Sequence, residues 1–228
     1  RGQEILLFKQ DKCLEGEYCT FEIAQGIVYY YVVINGKRYN IDDFSGIWYM
    51  HPHLPKELLE YEPAKYRQLV YSQFQAMRYA IFIIYRYKTW VNDPLAMQIM
   101  ENKPYQLVLA AKAGLIVPET LMTSDPDGVR SFYGSHDGNI IIKMLASSPI
   151  LNEVMYTNRV TPQHMQQINS VRMSPSIFQK YVPKAYELRI TIVGDNYFPA
   201  KVHSQEDEVI SLDWRRKPKL NDYEVKME

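Results

Sequence analysis

The chain is poor in cysteine, and its charges leave no excess of either sign. Cys13 and Cys19 are the two cysteines among 228 residues, too few for a disulfide scaffold. A zinc site built from them with His51 and His53 is not expected either, because the spacing C-x5-C fits no common ligand pattern. Lys plus Arg (26) equals Asp plus Glu (26). Without a basic excess, we expect no binding to nucleic-acid backbones, since that affinity comes from Lys and Arg.

Long apolar runs are also missing. A membrane helix needs ~20 consecutive apolar residues, and the best candidate here, Tyr79–Tyr87, follows Arg78 and contains Arg86. The first residues, Arg-Gly-Gln-Glu, do not resemble a signal peptide. A composition of 46% hydrophobic and 23% charged residues is typical of soluble globular proteins with one large or two modest domains. We therefore expect a cytoplasmic protein without a membrane partner.

Periodicity predicts a chain that mixes strands and helices. The dipeptide Asn35-Gly36 predicts a hairpin turn, because both residues tolerate positive φ. A helical pattern from Glu62 to Trp90 predicts a long helix that packs on the preceding strands. Strands are predicted at Glu4–Phe8, Gly26–Asn35, Ile41–Phe44, Gly46–Met50, Ile116–Met122, Asn139–Leu145 and Ser176–Val182. Shorter helices are predicted from Asp93-Pro94, at Pro104–Gly114, at Pro126–Tyr133 and from Thr161-Pro162 to Val171.

Two lysines stand out within this pattern. Pro104 forces the preceding Lys103 out of the α region, so Lys103 is expected at a helix break. Lys143 is the one charge in the strand Asn139–Leu145, where a buried ammonium either loses its proton or requires an anion. The alternative is an edge-strand lysine that reaches water. The strand alone does not decide between the two.

A second hairpin carries further cations. A three-residue loop at Gly194–Asn196 would place Arg189 opposite Lys201 and Glu187 opposite His203. Two cations directly opposite one another repel, and an anion on that face would relieve the repulsion. The alternative is a solvated polar face bridged by Glu187. With Lys103 and Lys143 upstream, the pattern favours an anion-binding cleft.

Six motifs in a fixed order resemble one protein family. They are W-x-N-D-P, N-K-x-x-Q-L, G-L-x-x-P-x-T, I-I-I-K-M-L, F-Q-x-Y-V-P-K-x-Y-E-L-R-I-T-I-V-G and D-W-R, and they run from about Gly46 to Arg216. In this order they resemble the ATP-grasp ligases that mature ribosomal peptides, the microviridin-type (graspetide) macrocyclases. The resemblance implies an α+β protein with the ATP-grasp fold. Its parts would be an N-terminal pre-ATP-grasp subdomain (residues 1–115), a central subdomain (116–183) and the start of a C-terminal subdomain (184–228).

The resemblance also implies an activity. ATP would phosphorylate Asp or Glu side chains of a ribosomal precursor peptide, with leader and core, and the acyl phosphates would close into ω-ester or ω-amide rings. Expected cofactors are ATP and Mg²⁺, and the expected assembly is a homodimer. Two alternatives are an ATP-grasp ligase acting on small molecules or protein termini, and a non-catalytic paralogue that binds nucleotide or leader peptide.

Nucleotide-binding residues follow from the resemblance by motif. Lys103 and Lys143 match the two lysines that hold the ATP phosphates, and Glu187 matches the carboxylate that accepts hydrogen bonds from the ribose. The hinge whose backbone meets adenine would be Gln179, Lys180, Tyr181 and Val182.

Catalytic and peptide-binding residues are implied in the same way. Arg189 and Lys201 fit the phosphate or acyl-phosphate side of the site. Asp213 and Arg215 resemble the D-x-R element associated with precursor-peptide recognition, and they are expected to share one face of an extended segment. The other interpretation of that pair is an Asp–Arg ion pair on the surface.

The metal ligands do not follow from these motifs. ATP-grasp enzymes place Mg²⁺-binding carboxylates in a C-terminal strand pair, roughly D-x-x…E-x-N-x-N, for which the chain has no match. We expect the Mg²⁺ ligands beyond Glu228 and a fold incomplete at both ends.

Overall fold

A computed structural model describes residues 4–50, 57, 63–146, 155–217 and 223–225. The described residues form two compact units, one running to Gln106 and the other starting at Leu107. Among these residues, no helix is long and apolar enough to cross a membrane. The division into three subdomains stays a prediction.

The first unit contains an antiparallel three-stranded sheet and a parallel strand pair. Its strands are β1 (Tyr18–Ala24), β2 (Ile27–Ile34), β3 (Lys37–Asn40), β4 (Gly46–Trp48) and β5 (Thr89–Val91). Strands β1, β2 and β3 are neighbours in the sheet, and β4 pairs with β5. Its helices are α1 (Arg67–Ile84), α2 (Pro94–Met100) and the start of α3 (Lys103–Lys112).

The expected contact between helix and strands is confirmed in the core of this unit. Tyr30 and Val32 of β2 are buried with Tyr85, and Ile81 of α1 packs against them. The predicted hairpin turn is also confirmed: Ile34 pairs with Lys37, and the two residues between them, Asn35 and Gly36, have φ of 51° and 74°. Positive φ at both central positions is the pattern of a type I′ turn.

The second unit contains two further sheets. An antiparallel sheet has the order β6-β9-β7-β8, and β10-β11-β12 form another. The strands are β6 (Thr120–Thr123), β7 (Ile140–Met144), β8 (Asn158–Arg159), β9 (Ser176–Lys180), β10 (Glu187–Val193), β11 (Asn196–Val202) and β12 (Tyr223–Val225). Helices α4 (Pro126–Ser135) and α5 (Pro162–Gln166) belong to the same unit. Val129, Ile140 and Phe178 are fully buried at its centre.

Three strand predictions need correction. Residues 4–9 are irregular, and Ile41–Asp43 form a 3₁₀ turn because the Asn40 side chain accepts a hydrogen bond from the Asp42 N–H, a local bond that competes with strand pairing. Strand β6 starts at Thr120 rather than Ile116. Pro118 cannot donate to a ladder, and Ile116 is fully exposed.

Two helices are shorter than predicted. Helix α1 ends at Ile84 instead of Trp90, because residues 89–91 pair with β4 and the Trp90 indole donates to the Tyr85 carbonyl at 2.9 Å. The helix expected through Val171 ends at Gln166 and continues as 3₁₀ turns over Ile168–Met173.

The register predicted for the second hairpin is wrong. Its loop has two residues, not three, and Gly194 takes a positive φ of 59°, as at the first position of a type II′ turn. Lys201 therefore pairs with Leu188, and Arg189 pairs with Ala200. Since directly opposed residues share a face of the sheet, Arg189 and Lys201 lie on opposite faces.

The second pair predicted in that hairpin is wrong for the same reason. Glu187 lies opposite Val202, not opposite His203. Because residues two apart in a strand share a face, Glu187 and Arg189 remain on one side of β10.

Candidate functional site

A pocket of about 360 Å³ lies in the second unit, where the end of β9, the start of β10 and residues 212–215 meet. This volume falls within the ~300–1,000 Å³ typical of small-molecule sites. Eight residues predicted for the site line it: Lys143, Gln179, Lys180, Tyr181, Val182, Glu187, Asp213 and Arg215. The other lining residues are Pro118, Ile141, Thr157, Lys184, Leu212 and Trp214.

Strand alternation explains why the sheet presents polar groups to this pocket. Ile141 and Gln179 are directly opposite one another in β7 and β9, and both line the pocket with Lys143. Their neighbours Ile140 and Phe178 are fully buried on the other face, in the core. Side chains alternate between faces along a strand, so the same sheet forms the core on one side and the pocket on the other.

A chain of hydrogen bonds positions Lys143. Its Nζ donates to Gln179 Oε1 at 2.8 Å, and Gln179 Nε2 donates to Thr120 Oγ1 at 2.8 Å. The Thr120 hydroxyl donates in turn to the Pro118 carbonyl at 2.7 Å. Because Gln179 is buried, these bonds fix its amide with the oxygen towards the ammonium. The structure thus holds a cation at one side of the pocket.

The backbone after β9 is anchored on both sides. The Lys180 N–H donates to the Glu119 carbonyl, and the Tyr181 N–H donates to the Asn139 carbonyl, both at 2.9 Å. The Lys180 ammonium lies 3.2 Å from the Glu119 carboxylate, and this contact lowers the pKa of Glu119 below its ordinary value. Val182 follows as an exposed residue on the pocket wall.

A half-buried ion pair occupies the start of β10. Lys184 Nζ lies 2.6 Å from Glu187 Oε1 and donates to the Leu212 carbonyl at 3.2 Å. Each of the two charged side chains is 25% exposed. The ammonium therefore joins the start of β10 to the segment that precedes Asp213.

The D-W-R segment is not extended, contrary to the prediction. Trp214–Arg216 form a 3₁₀ turn that Asp213 caps by accepting from the Arg215 N–H. Arg215 Nε and Nη2 also donate to the two Asp213 oxygens at 2.8 and 2.6 Å, and the Thr157 N–H donates at 3.0 Å. Asp213 is only 5% exposed, whereas the Arg215 side chain is 53% exposed, so the ion pair is half-buried rather than fully on the surface.

These bonds set the protonation state of Asp213. Burial alone would raise its pKa, but the hydrogen bonds from Arg215 and from the Thr157 N–H outweigh burial and hold the pKa well below its usual range. The carboxylate is therefore ionised, and it fixes the Arg215 guanidinium beside the pocket.

Three predicted residues are placed differently. Arg189 is exposed on β10, and the Lys201 ammonium lies 4.7 Å from the centroid of the Tyr186 ring. Neither residue is among those that line the pocket. Lys103 is the first residue of α3, in the first unit. A break between α2 and α3 is present as expected, but it lies at Glu101 and Asn102. Lys103 itself is helical, contrary to the prediction, because the Asn102 side chain caps α3 by accepting from the Tyr105 N–H.

The described residues contain no group of three or more His, Cys, Asp or Glu side chains suited to hold a metal ion. Cys13 and Cys19 are free thiols. His51 and His53, the other residues of the rejected zinc idea, lie outside the described residues.

Sequence reasoning missed Lys184 and Thr157. The signal for Lys184 was its i,i+3 spacing from Glu187, within the motif that carried the resemblance. Thr157 acts through its backbone N–H, which any residue except proline would supply. No side-chain pattern could have revealed Thr157.

No family model and no curated protein sequence matches the chain. Solved structures do match. A RiPP-associated ATP-grasp ligase from Chryseobacterium gregarium, in complex with ADP and a leader and core peptide, has a TM-score of 0.77 at 22% identity and aligns over 100% of this chain and 70% of its own. The macrocyclase MdnC from Microcystis aeruginosa MRC, bound with precursor peptide MdnA, has a TM-score of 0.72 at 23% identity. This alignment covers 87% of this chain and 66% of MdnC.

The ATP-grasp ligase PsnB, complexed with a phosphomimetic variant of minimal precursor, Mg and ADP, has a TM-score of 0.63 at 18% identity, over 89% of this chain and 65% of its own. The chain thus spans about two thirds of the length of these proteins. Agreement over most of the chain at such low identities establishes architecture, while function depends on the site. The protein has the ATP-grasp fold.

Proposed function

We propose that this protein is an ATP-grasp ligase that activates Asp or Glu side chains of a ribosomal precursor peptide and closes ω-ester or ω-amide rings. The observation that carries the proposal is the pocket in the second unit, which gathers eight of the residues assigned by motif. The matched structures hold ADP or a precursor peptide in the same fold.

The nucleotide would use three parts of this pocket. The backbone at Tyr181 and Val182 would meet the edge of adenine, and Glu187 would accept hydrogen bonds from the ribose hydroxyls. The Lys143 ammonium would neutralise phosphate charge, because its bond to the buried Gln179 amide holds it at the wall of the pocket. We propose the same phosphate role for Lys103, from its motif alone.

The reaction has two steps. A peptide carboxylate attacks the γ-phosphorus of ATP, ADP leaves, and an acyl phosphate forms. A Ser or Thr hydroxyl or a Lys amine of the same peptide then attacks the acyl carbon, loses its proton, and expels phosphate. Each ring costs one ATP and removes one water from the peptide. The protein contributes positioning and charge stabilisation.

We propose Arg189 for the acyl-phosphate side. It shares a face of β10 with Glu187, which lines the pocket. Lys201, proposed for the same role by motif, lies on the other face, and the register does not support it there.

Mg²⁺ would accompany the nucleotide, as cations bound to phosphate oxygens do in phosphoryl transfer. The described residues hold no acidic cluster that could bind a metal ion. From the resemblance we also propose a microviridin-type, cytoplasmic enzyme that works as a homodimer.

Asp213 and Arg215 are proposed to bind the peptide. Arg215 is half-exposed beside the pocket while Asp213 holds it in place, so its guanidinium can meet a peptide carboxylate. We expect Arg215→Ala to lose affinity for the peptide, measured by fluorescence anisotropy of a labelled precursor. ATP binding, measured by calorimetry, should stay near that of the parent.

The test of the function is turnover of a precursor peptide, taken from a short reading frame beside the gene and rich in Thr, Ser or Lys and in Asp or Glu. With ATP and Mg²⁺, mass spectrometry should show the loss of one water per ring, with one ADP formed for each. The Lys143→Met variant is the control for ATP dependence.

Two other outcomes would contradict the proposal. A gain in mass would indicate ligation of a separate molecule, the second enzyme class considered above. Nucleotide or peptide binding without any turnover would indicate a non-catalytic binding protein.

A further inference from the structure

Lys184 contacts two parts of the pocket at once. Its ammonium lies 2.6 Å from Glu187 Oε1 and 3.2 Å from the main-chain oxygen of Leu212. An exposed i,i+3 ion pair would contribute little. This pair differs because both side chains are only 25% exposed and because the ammonium is also tied to a carbonyl 28 residues away.

Lys184 leaves Glu187 able to bind a further donor. An ionised carboxylate has about four lone-pair positions on its two oxygens, and Lys184 is bonded to Oε1. The second oxygen, Oε2, can accept hydroxyl groups in the pocket that Glu187 lines. A long side chain that is held at one oxygen presents the other in a fixed direction, so less conformational entropy is lost when a ligand binds.

We infer that Lys184 is the positioning residue for ribose recognition: it orients the Glu187 carboxylate, and the Leu212 carbonyl anchors the ammonium that does so. The inference rests on the proposed function, in which Glu187 receives the ribose. Lys184 itself need not touch the nucleotide.

The test compares the affinities of ATP and 2′,3′-dideoxy-ATP, measured by calorimetry. The parent should prefer ATP by about tenfold, the value of one charge-assisted hydrogen bond. Lys184→Met keeps most of the side-chain length but removes the charge. It should reduce the preference to about twofold while leaving the dissociation constant for dideoxy-ATP within about twofold of the parent's. Lys184→Arg, which keeps a cation, should restore part of the preference.

A double-mutant cycle separates positioning from a general structural role. Glu187→Gln should reduce the preference for ATP, and adding Lys184→Met should reduce it no further, because Lys184 acts through that carboxylate. The matched control is Lys217→Met, which removes a lysine that pairs with Asp207 outside the pocket. This control should keep the parent's preference.

The outcomes are distinguishable. If Lys184→Met keeps the parent's preference for ATP, or if Lys217→Met loses it equally, the inference is wrong. If the parent protein binds both nucleotides equally, or binds neither, the ribose-binding role of Glu187 in the proposed function is wrong, and the inference about Lys184 is wrong with it. Should Lys184→Met not fold, Lys184→Gln, which keeps a neutral donor, serves for the same comparison.

Discussion

At the scale of single residues, the side chains that matter most are charged groups with defined partners in the second unit. Lys143 could not be assigned from its strand alone, because a buried cation and a lysine that reaches water fit the same pattern. Its bond to the buried Gln179 amide gives it a fixed position at the pocket wall. A cation held in this way can meet an anionic ligand.

The first prediction concerns this cation. Lys143→Met should abolish ring formation and weaken ATP binding at least tenfold, because a charge-assisted contact to phosphate contributes about 1.5–3 kcal/mol. The variant should remain folded, at a cost of about 1 kcal/mol for the Gln179 oxygen left without this donor. Calorimetry with ATP and thermal unfolding measure the two effects. ATP affinity equal to the parent's would exclude the phosphate role.

The second prediction uses the depressed pKa of Asp213. Asp213→Asn should destabilise the protein by about 1–2 kcal/mol at pH 7, because the buried side chain loses the charge that the Arg215 guanidinium and the Thr157 N–H stabilise, while water screens the half-exposed Arg215. The folded-state pKa lies below the unfolded value of ~3.9, so the stabilising effect of the carboxylate is present above that pH and is lost as the pH falls further.

The measurement is chemical denaturation of parent and variant between pH 3 and pH 7. The difference in unfolding free energy between them should shrink below about pH 4. Asp195→Asn is the control, because Asp195 is exposed in the turn that follows Gly194 and its substitution should give no measurable change. A difference for Asp213→Asn that stays constant over this range would contradict the pKa argument.

At the scale of elements, local turn geometry decides which side chains meet. The type II′ turn at Gly194 shifts the pairing by one residue from the predicted register, and this shift separates Arg189 from Lys201. A one-residue shift moves side chains to the other face of the sheet, so the predicted pair of opposed cations does not exist. The site is instead built at the start of β10, around Glu187.

The third prediction tests the turn. Gly194→Ala should destabilise the protein by about 1–2 kcal/mol, because φ of 59° is unfavourable for a residue with a Cβ atom. A Cβ atom there would meet nothing within 4 Å, so the cost is one of backbone conformation. Gly134→Ala is the control: it too has open space, but it lies in α4. It should stabilise by roughly 0.5–1 kcal/mol. Thermal unfolding of both variants checks the opposite signs.

The sequence predicts a turn, helix cap or strand correctly where the pattern involves residues that are close together in the chain. The Asn35-Gly36 turn, the Asp93 cap before α2 and strand β7 around Lys143 all follow from short-range chemistry and are confirmed. Features set by long-range contacts could not be predicted. The Asp213 bond to Thr157 and the bond from Lys184 to Leu212 join residues 56 and 28 positions apart, and nothing local in the chain specifies them.

At the scale of the whole molecule, each of the two compact units has its own buried core, around Tyr30 and Tyr85 in the first and around Phe178 in the second. The residues assigned by motif are divided between them: Lys103 belongs to the first unit and Lys143 to the second. ATP binding therefore offers a test of whether both units serve one function.

The last prediction compares two lysines at opposite ends of α3. If Lys103 holds a phosphate, Lys103→Met should weaken ATP binding by several-fold, because a charge-assisted contact to phosphate would be lost. Lys112→Met, at the exposed end of the same helix, should leave the affinity unchanged.

ATP binding also stabilises the folded state, by about 2.7 kcal/mol at a ligand concentration 100 times Kd. At one fixed ATP concentration, the ATP-induced rise in Tm should thus be smaller in Lys103→Met than in the parent and in Lys112→Met. Equal rises in all three proteins would mean that nucleotide binding depends on the second unit alone.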